Sequence, residues 1–566
     1  MSSEVDSVTL SEAVAAHVHA GDSLHLVVGH TRWSAGAFEI VRQFWGRDPR
    51  FELVMLSLSS LGTLFFRGDM VRRVVTGYSG DTFPNFTPNP IFASAYRDGR
   101  VAVEHWSFLT FAQRLEAAAR GLPAVTTRSL HGSSMADNAA YSQVDTEFGE
   151  VGLLAPLQPD VAVLHAPVAD RAGNVAIHPP LLEGVWGALA ARRGAIVTVE
   201  RIVENLKPWA HLVCIPAHRT LAVVEAPLGA HPGGLFAAGL PVSGYGEDYD
   251  FWVDVRNRSR RDDFDDWIRE WVLDVDGHRG YVRKLGRDRI EVLLERADRE
   301  SWRQDRDAHP VDTAAPVNAW ETAAAFGARY LVGRVEALDA DAVLAGAGVA
   351  NLAAWLACDT ARRAGREVQL TAEIGLWGYE PTPADPFVLN HRNFPTSSML
   401  GDADMVLGTL VGGAGTTTVA CLGGAQVDRF ADINSTLVPD GPFLVGSGGG
   451  NDTASTCTEA VVVATLNPKR TPPECGYVTS PGRVVRALVT DLGILEKPDL
   501  EPGTELVLTA VPEGDGSLDE RIARAQAACG WDLAVADDVS ELSPPTAGEV
   551  RALRAWDPQG WFLRPD

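Results

Sequence analysis

Glu373 is the residue whose surroundings in the sequence most suggest chemistry. It lies in EVQLTAEIGLWGYEP, residues 367–381, where an alternating run predicts a strand and glycines and apolar residues follow. Ligands of open α/β sheets bind at the carboxyl ends of strands, which is where this glutamate would stand. A carboxylate partly removed from water there could act as a nucleophile or a base, although most glutamates simply lie in solvent. The pattern alone leaves both interpretations open.

The glycine-rich turn in GPFLVGSGGGNDTAST, residues 441–456, is a second candidate. Glycines let the backbone adopt positive φ angles and approach a ligand, and successive N–H groups can bind an anion. It is neither a dinucleotide fingerprint, which needs a third glycine, nor a Walker A loop, which needs Gly-Lys-Ser/Thr. Ligand contact and a tight crossing between sheets remain alternatives. The candidate residues are Gly446, Gly448, Gly449, Gly450 and Asn451.

Four further residues are secondary candidates. Glu104 and His105 end the strand-like run RVAVEH, where neighbouring side chains point to opposite faces, so at most one of them lines a site. Ser79 lies in RRVVTGYSGD, and His391, beside Arg392, is a lone histidine of the kind that is usually structural. No Ser-His-Asp order, HExxH motif or metal-ligand cluster is present, so we expect no metal.

Composition limits the function classes. The chain of 566 residues has 49 basic and 74 acidic residues, a net charge of −25 that argues against nucleic-acid binding and a basic membrane face. The 6 cysteines are scattered without a CxxC pair, which favours a reducing compartment. We find no signal peptide and no apolar run long enough to span a membrane, and we therefore expect a soluble cytoplasmic protein.

Apolar runs of strand length alternate with amphipathic stretches along most of the chain. This alternation predicts an α/β fold with two mostly parallel, open sheets flanked by helices. We expect a first domain over 1–304, a linker over 305–316 that is rich in Pro, Ala and charge, and a second domain over 317–566. The echo of DRAGN, residues 170–174, by DRFAD, residues 428–432, suggests related halves, although strand ends commonly carry such turns.

Together these segments resemble the family I coenzyme A transferases, in the branch that is like glutaconate CoA-transferase, with the α and β subunits fused in one chain. The likeness covers most of the sequence, in the order of the family's motifs. The α-like segments are RRVVTGYSGD, VAVEHWSFLT, GLPAVTTRSLHGS, LQPDVAVLHAPVADRAGNV, GAIVTVERIVEN and VVEAPLGAHPGGL; the β-like segments are AEIGLWGYEPTPADPFVLNHRNFPTSSML, VGGAGTTTVACLGGAQVDR, INSTLVPDGPFLVGSGGGND and CGYVTSPGRVV.

The resemblance implies that Glu373, with Gly375 and Gly378 in the pattern E-x-G-x-x-G, is the catalytic nucleophile. The substrates would be an acyl-CoA and a carboxylate acceptor, with CoA carried as a glutamyl thioester and no permanently bound cofactor. The turn over 446–450 would supply oxyanion donors and contact CoA. We expect the site between the halves, with residues 77–81 and 104–107 facing Glu373. The sequence leaves open whether the chain forms homo-oligomers.

Three departures from the family pattern matter. DRFAD has neither the glycine nor the asparagine of the related turn, VVGHTRWSAG lacks the glycines common near the acyl pocket, and His105 replaces a second acidic residue. Some relatives are ring-opening hydrolases that use a glutamate of the α half, for which Glu104 is the nearest match. A CoA-thioester hydrolase that cleaves a C–C bond is therefore the alternative, and a non-catalytic acyl-CoA-binding protein is the second.

Overall fold

The computed structural model describes residues 8–26 and 33–564. The departure noted in VVGHTRWSAG falls mainly on residues 27–32, which lie outside the described residues. Within the described part the chain forms two large sheets, one from each half, with helices packed on their faces. The predicted α/β class with two mostly parallel sheets is confirmed.

The described residues of the first half form twelve strands and eleven α-helices. The strands are β1 Ser23–Leu26, β2 Phe51–Leu58, β3 Val71–Ser79, β4 Ala102–His105, β5 Val125–Thr127, β6 Tyr141–Thr146, β7 Gly149–Leu154, β8 Val161–Asp170, β9 Val175–Ala176, β10 Gly194–Val203, β11 Val213–Ile215 and β12 Thr220–Glu225. The helices are α1 Leu10–His17, α2 Ala35–Phe44, α3 Thr63–Arg67, α4 Pro90–Arg97, α5 Phe108–Ala119, α6 Trp186–Ala190, α7 Tyr249–Arg258, α8 Phe264–Ile268, α9 Gly277–Leu285, α10 Arg287–Arg296 and α11 Trp302–Ala308.

The first sheet has the order β11-β9-β8-β1-β2-β3-β4, and β10 pairs with both β8 and β12. All its pairs are parallel except those of β9. Its central strand β8 is buried along its whole length, because helices cover both faces of the sheet. A small antiparallel sheet, β5-β7-β6, lies apart from it.

Up to residue 564, where the described part ends, the second half forms twelve strands and five α-helices. The strands are β13 Ala342–Ala345, β14 Gln369–Ala372, β15 Leu376–Trp377, β16 Met399–Leu400, β17 Thr418–Leu422, β18 Gln426–Val427, β19 Ile433–Asn434, β20 Glu459–Val463, β21 Val485–Thr490, β22 Gly493–Glu496, β23 Val507–Pro512 and β24 Val535–Leu542. The helices are α12 Ala319–Leu338, α13 Val349–Arg363, α14 Gly450–Thr456, α15 Leu518–Ala528 and α16 Ala547–Trp556.

The second sheet runs β16-β15-β14-β13-β17-β20-β21-β22-β23-β24. Its centre, from β14 to β21, is parallel. Antiparallel pairing adds β15 and β16 on one side and β22 and β23 on the other, where β24 is a parallel edge strand. The carboxyl ends of β14, β13, β17 and β20 therefore lie side by side along one edge of the sheet. This edge faces the first half and carries Glu373.

The two echoed turns have the same hydrogen bonds. The Asp170 carboxylate accepts from the amides of Ala172 and Asn174, and the Asp428 carboxylate accepts from those of Phe430 and Asp432. Where the first turn has Gly173 at φ +96°, the second has Ala431 at φ +62°. The turn geometry is thus kept although the glycine is lost, because the carboxylate and the buried surroundings hold the alanine in the left-handed region.

A buried ion pair anchors the segment between the halves. Arg554 donates to both carboxylate oxygens of Glu321, at 2.6 and 2.9 Å, and also to the carbonyls of Asp312, Ala315 and Pro316. Residues 305–308 of the predicted linker belong to α11, and α12 begins after its cap at Asn318. The domain boundaries stay a prediction.

Replacing Arg554 with methionine should destabilise the second half. The change would leave the fully buried Glu321 carboxylate without its partner, which typically costs about 3–5 kcal/mol. Urea denaturation followed by circular dichroism would measure the loss. Arg551→Met, on the exposed face of the same helix, is the control and should leave the midpoint unchanged. Equal midpoints for both variants would contradict the structural role of this pair.

Candidate active site

Glu373 is positioned by a tight hairpin. It follows β14 directly, and the chain turns at Gly375, at φ +112°, to pair back as β15. A side chain at Gly375 would collide with the carbonyl of Gly401. The Gly401 amide in turn donates to the Gly375 carbonyl at 2.8 Å. Gly378, at φ +67°, packs against Gln369 and Ser398. These two glycines therefore shape the turn and do not themselves line the cavity at Glu373.

The glycine-rich turn packs backbone to backbone against the end of β3. The amide of Gly448 donates to the Gly77 carbonyl at 3.0 Å, and the amide of Phe108 donates to the Gly448 carbonyl at 3.0 Å. Gly446, at φ +126°, has no room for a side chain, since a Cβ there would lie 2.7 Å from the Gly77 carbonyl oxygen. Glycine is required because two chain segments from different halves meet here.

Only part of the expected N–H nest is open. The Gly449 amide donates to Glu373 Oε2 at 2.9 Å. The amides of Gly446 and Gly450 are occupied by the carbonyls of Ser435 and Ser447, so the turn does not offer the row of free donors that its glycines predict. A single amide, that of Gly449, is therefore aimed at the carboxylate.

Helix α14 is held onto the first half by two side chains that follow the glycines. Asp452 accepts from the Ser107 hydroxyl at 2.5 Å and from the Leu109 amide at 3.0 Å, at the amino end of α5. Asn451 accepts from the Leu130 amide at 3.0 Å and donates to the Thr479 carbonyl at 2.9 Å. Asn451 is thus a structural contact, and it does not line the cavity.

A cavity of about 530 Å³ opens at Glu373 between the two halves. The first half contributes Tyr78 and Phe108 among others, and the second contributes the strand ends and Gly446 to Gly450. The described lining is mainly apolar, and its charged members are Glu183, Glu373 and Arg470. The expected site between the halves therefore coincides with a cavity of ligand size.

Burial raises the pKa of Glu373 to about 7, and the nearby charge of Asp452 adds to that effect. The Gly449 hydrogen bond lowers it and only partly offsets the desolvation. Burial likewise raises the pKa of Asp452 to about 6. A carboxylate in this state is poorly hydrated and close to half-ionised at neutral pH, which makes it a reactive nucleophile or base once it loses its proton.

Glu104 has the opposite environment. Arg73 and Arg114 both pair with its carboxylate, Arg114 at 2.9 Å, and the Trp106 indole donates to it at 2.6 Å. These partners outweigh its desolvation and lower its pKa. The side chain does not line the cavity. Glu104 is therefore a paired structural carboxylate.

The remaining candidates also lie off the cavity lining. His105 stacks on Phe443, with ring centroids 5.3 Å apart, and burial lowers its pKa to about 4, so it is neutral. The Ser79 hydroxyl bonds to that of Tyr96 at 2.9 Å. His391 Nδ1 lies 2.9 Å from a carboxylate oxygen of Glu247. All of them pack the surroundings of the site.

Three residues of the site carry no sequence signal that would have selected them. Asp452, Glu183 and Arg470 come near Glu373 or its cavity only through folding.

Among the described residues no group of three or more His, Cys, Asp or Glu side chains could hold a metal ion. In the same part of the chain, no helix has both the length and the apolar composition to cross a bilayer.

Glu373→Gln should stabilise the protein at high pH and not at low pH. The folded state binds the Glu373 proton more tightly than the unfolded state, so the carboxylate costs stability progressively as pH rises from 4.5 to about 7. The full effect is up to about 3 kcal/mol. Thermal unfolding at pH 5 and pH 8 would measure it. Glu367→Gln, on an exposed neighbour, should show no such pH dependence. A Glu373→Gln gain that is equal at both pH values would contradict the raised pKa.

Comparisons with known proteins agree with this architecture. Residues 8–226 match the family model described as coenzyme A transferase. The chain is 28% identical over 316 residues to the first subunit of glutaconate CoA-transferase from Acidaminococcus fermentans, covering 50% of this chain and 92% of that protein. It is also 30% identical over 163 residues to the second subunit of 3-oxoadipate CoA-transferase from Pseudomonas knackmussii, covering 25% of this chain and 59% of that protein.

The fold of the whole chain has a solved counterpart. An acyl-CoA transferase from E. coli O157:H7 matches with a TM-score of 0.64 over 95% of each chain, at 15% sequence identity. That likeness concerns the fold alone, whereas the sequence matches include both a first and a second subunit. Taken with the two-sheet architecture, these matches show that the chain is similar to coenzyme A transferases, to the first subunit of one and to the second subunit of another.

Proposed function

We propose that this chain is a family I coenzyme A transferase that moves CoA from an acyl-CoA to a carboxylate acceptor through a thioester on Glu373. One observation carries the proposal. The Glu373 carboxylate opens onto the cavity between the halves, is largely desolvated, and accepts a hydrogen bond from the Gly449 amide. A desolvated carboxylate with one preorganised donor beside it suits covalent acyl transfer.

In the first half-reaction a Glu373 oxygen attacks the thioester carbonyl of the acyl-CoA. The C–S bond breaks, CoA leaves as a thiolate, and a mixed anhydride joins the acyl group to Glu373. The thiolate then attacks the glutamyl carbonyl carbon, the anhydride C–O bond breaks, and the acyl group leaves as a carboxylate. The product is a glutamyl-CoA thioester, and the acceptor acid takes up CoA by the same steps in reverse.

Each attack places negative charge on a carbonyl oxygen. The Gly449 amide, which is bonded to the carboxylate at rest, is in position to donate to the oxyanion formed at the glutamyl carbon. A preorganised donor of this type is worth about 3–4 kcal/mol of the barrier. The apolar cavity lining supports the same chemistry, because charge–dipole interactions are stronger where water is excluded.

The ring-opening hydrolase is less well supported. It requires a reactive glutamate in the first half, and Glu104 is paired with two arginines and lies off the cavity. A carboxylate held by such partners is stabilised in its charged form and is a weak nucleophile. A binding protein without turnover would have no use for a carboxylate with a raised pKa at the cavity wall.

Incubation with an acyl-CoA should attach CoA to Glu373. Peptide mass spectrometry after incubation would detect an adduct with the mass of CoA on the peptide around residue 373. Glu373→Gln should lose both the adduct and turnover, by about a thousandfold or more, since about 4 kcal/mol of the barrier is removed.

Glu104→Gln is the comparison. It should lower stability, because the buried Arg114 loses its carboxylate, yet the folded fraction should still form the adduct. An active Glu373→Gln together with an inactive but folded Glu104→Gln, with CoA released in the absence of an acceptor acid, would overturn the transferase in favour of the hydrolase.

Gly449→Ala should abolish turnover and leave the fold intact. The added Cβ would collide with Glu373 Oε2 and come within 3.1 Å of Leu407, so the carboxylate must leave its place beside the amide. Gly450→Ala is the matched control, because its Cβ would meet only Ser480 Oγ, at 3.4 Å. Steady-state kinetics and thermal unfolding of both variants test this, and unchanged kcat in Gly449→Ala would exclude the assigned role of this contact.

A further inference from the structure

Among the described residues that line the cavity, Arg470 is the one cation, and the proposed chemistry does not use it. Its guanidinium lies over the Trp320 ring, 5.1 Å from the centroid, and one N–H donates to the Gly424 carbonyl at 3.3 Å. Within residues 8–26 and 33–564 no carboxylate pairs with it. Its other N–H groups are left for whatever enters the cavity, because a guanidinium carries five.

Arg470 is half-buried, and three more deeply buried arginines of this chain pair with carboxylates. Arg114 pairs with Glu104, Arg392 pairs with Asp305 and Asp385, and Arg554 pairs with Glu321. Arg470, in contrast, has its pKa lowered by desolvation, and no acid among the described residues offsets this. A guanidinium stays protonated in proteins, so this charge is held in a partly dry cavity at a cost that an anionic ligand would offset.

Position along the sheet edge separates Arg470 from Glu373. Glu373 follows β14, Gly424 follows β17, and the segment with Arg470 follows β20, in the sheet order β14-β13-β17-β20. Strands are spaced about 4.8 Å apart, so two to three spacings place the guanidinium roughly 10–14 Å from the nucleophile. The cavity therefore has an acidic end, with Glu373 and Glu183, and a basic end.

The distance between Arg470 and Glu373 indicates which anionic group of a substrate could reach the guanidinium. An extended chain spans about 1.2 Å per bond, so the second carboxylate of a short diacid acyl group reaches only about 4–6 Å from the thioester. The pantetheine arm of CoA, about thirteen bonds from sulfur to phosphorus, reaches roughly 15 Å. The phosphate end of CoA fits the spacing and a short acyl carboxylate does not.

We propose that Arg470, with Trp320 beneath it, binds an anionic group of the substrate at the end of the cavity away from Glu373, the phosphate end of the CoA thioester being the source that fits the spacing. This inference rests on the proposed function for the identity of the substrate. Arg470 here is a binding residue that contributes affinity, and it takes no part in bond making or breaking.

Binding measurements test the proposal without turnover. Calorimetric titration of the wild type and of Arg470→Gln with CoA and with pantetheine, which lacks the phosphates, separates the contributions. We expect Arg470→Gln to weaken CoA binding by tenfold or more and to leave pantetheine binding unchanged. Arg470→Lys, which keeps the charge but not the fork of donors, should fall between. Lys469→Gln, an exposed neighbour with the same change in charge, should bind CoA as the wild type does.

A third ligand separates the two sources of the anion. If Arg470→Gln leaves CoA binding intact but weakens a dicarboxylic acyl-pantetheine relative to its monocarboxylic analogue, the site binds an acyl carboxylate and the phosphate assignment falls. Equal weakening of all ligands, or none, would overturn the proposal. Thermal unfolding of each variant shows whether it is folded. Failure of Glu373 to form a CoA adduct would refute the proposed function. The binding results could still be interpreted, because they do not depend on turnover.

Discussion

The site depends on a backbone contact between the halves. The Gly448 amide bonds to the Gly77 carbonyl, and this fixes the turn from which the next amide, that of Gly449, reaches Glu373. The turn cannot carry a side chain at Gly446, since a Cβ there would lie 2.7 Å from the Gly77 carbonyl oxygen, and a Cβ at Gly77 would lie 2.8 Å from the Phe108 ring. A displacement of the halves would therefore move the hydrogen-bond donor away from the carboxylate, and the polar cost of leaving these amides unpaired opposes it.

The buried carboxylate of Asp452 reinforces the contact between the halves, at the cost of removing a charged group from water. Asp452 holds the amino end of α5, and its charge adds to the desolvation that raises the pKa of the neighbouring Glu373. The interaction that joins the halves thus also tunes the candidate nucleophile. Elsewhere the chain buries carboxylates beside arginines, as with Glu321 and Glu104, where opposite charges cancel. Glu321 and Glu104 are thus carboxylates of the scaffold, whereas no arginine pairs with Glu373 in the described part of the chain.

Charge is distributed unevenly within the cavity too. Its walls are mainly apolar, with acidic groups at the end where a thioester would react and the guanidinium of Arg470 at the other. A long substrate that is neutral along its length and anionic at one end complements this arrangement in shape and charge. Because one chain contributes both sheets, the two sides of the cavity are always present in a one-to-one ratio. Two separate chains would have to associate to form the same cavity.

The sequence by itself determined the features that depend on local rules. Alternating and apolar runs predicted the strands and the α/β class, and Glu373 and the glycines of residues 446–450 could be selected from their neighbours because strand period and glycine conformations are local properties. Only the tertiary structure decided which groups meet. Glu373 and Gly449 are 76 residues apart, and Glu104 is neutralised by arginines from a neighbouring strand and helix. Such contacts, like the lack of a carboxylate beside Arg470 in the described part of the chain, follow from the packing of distant segments, which no local pattern encodes.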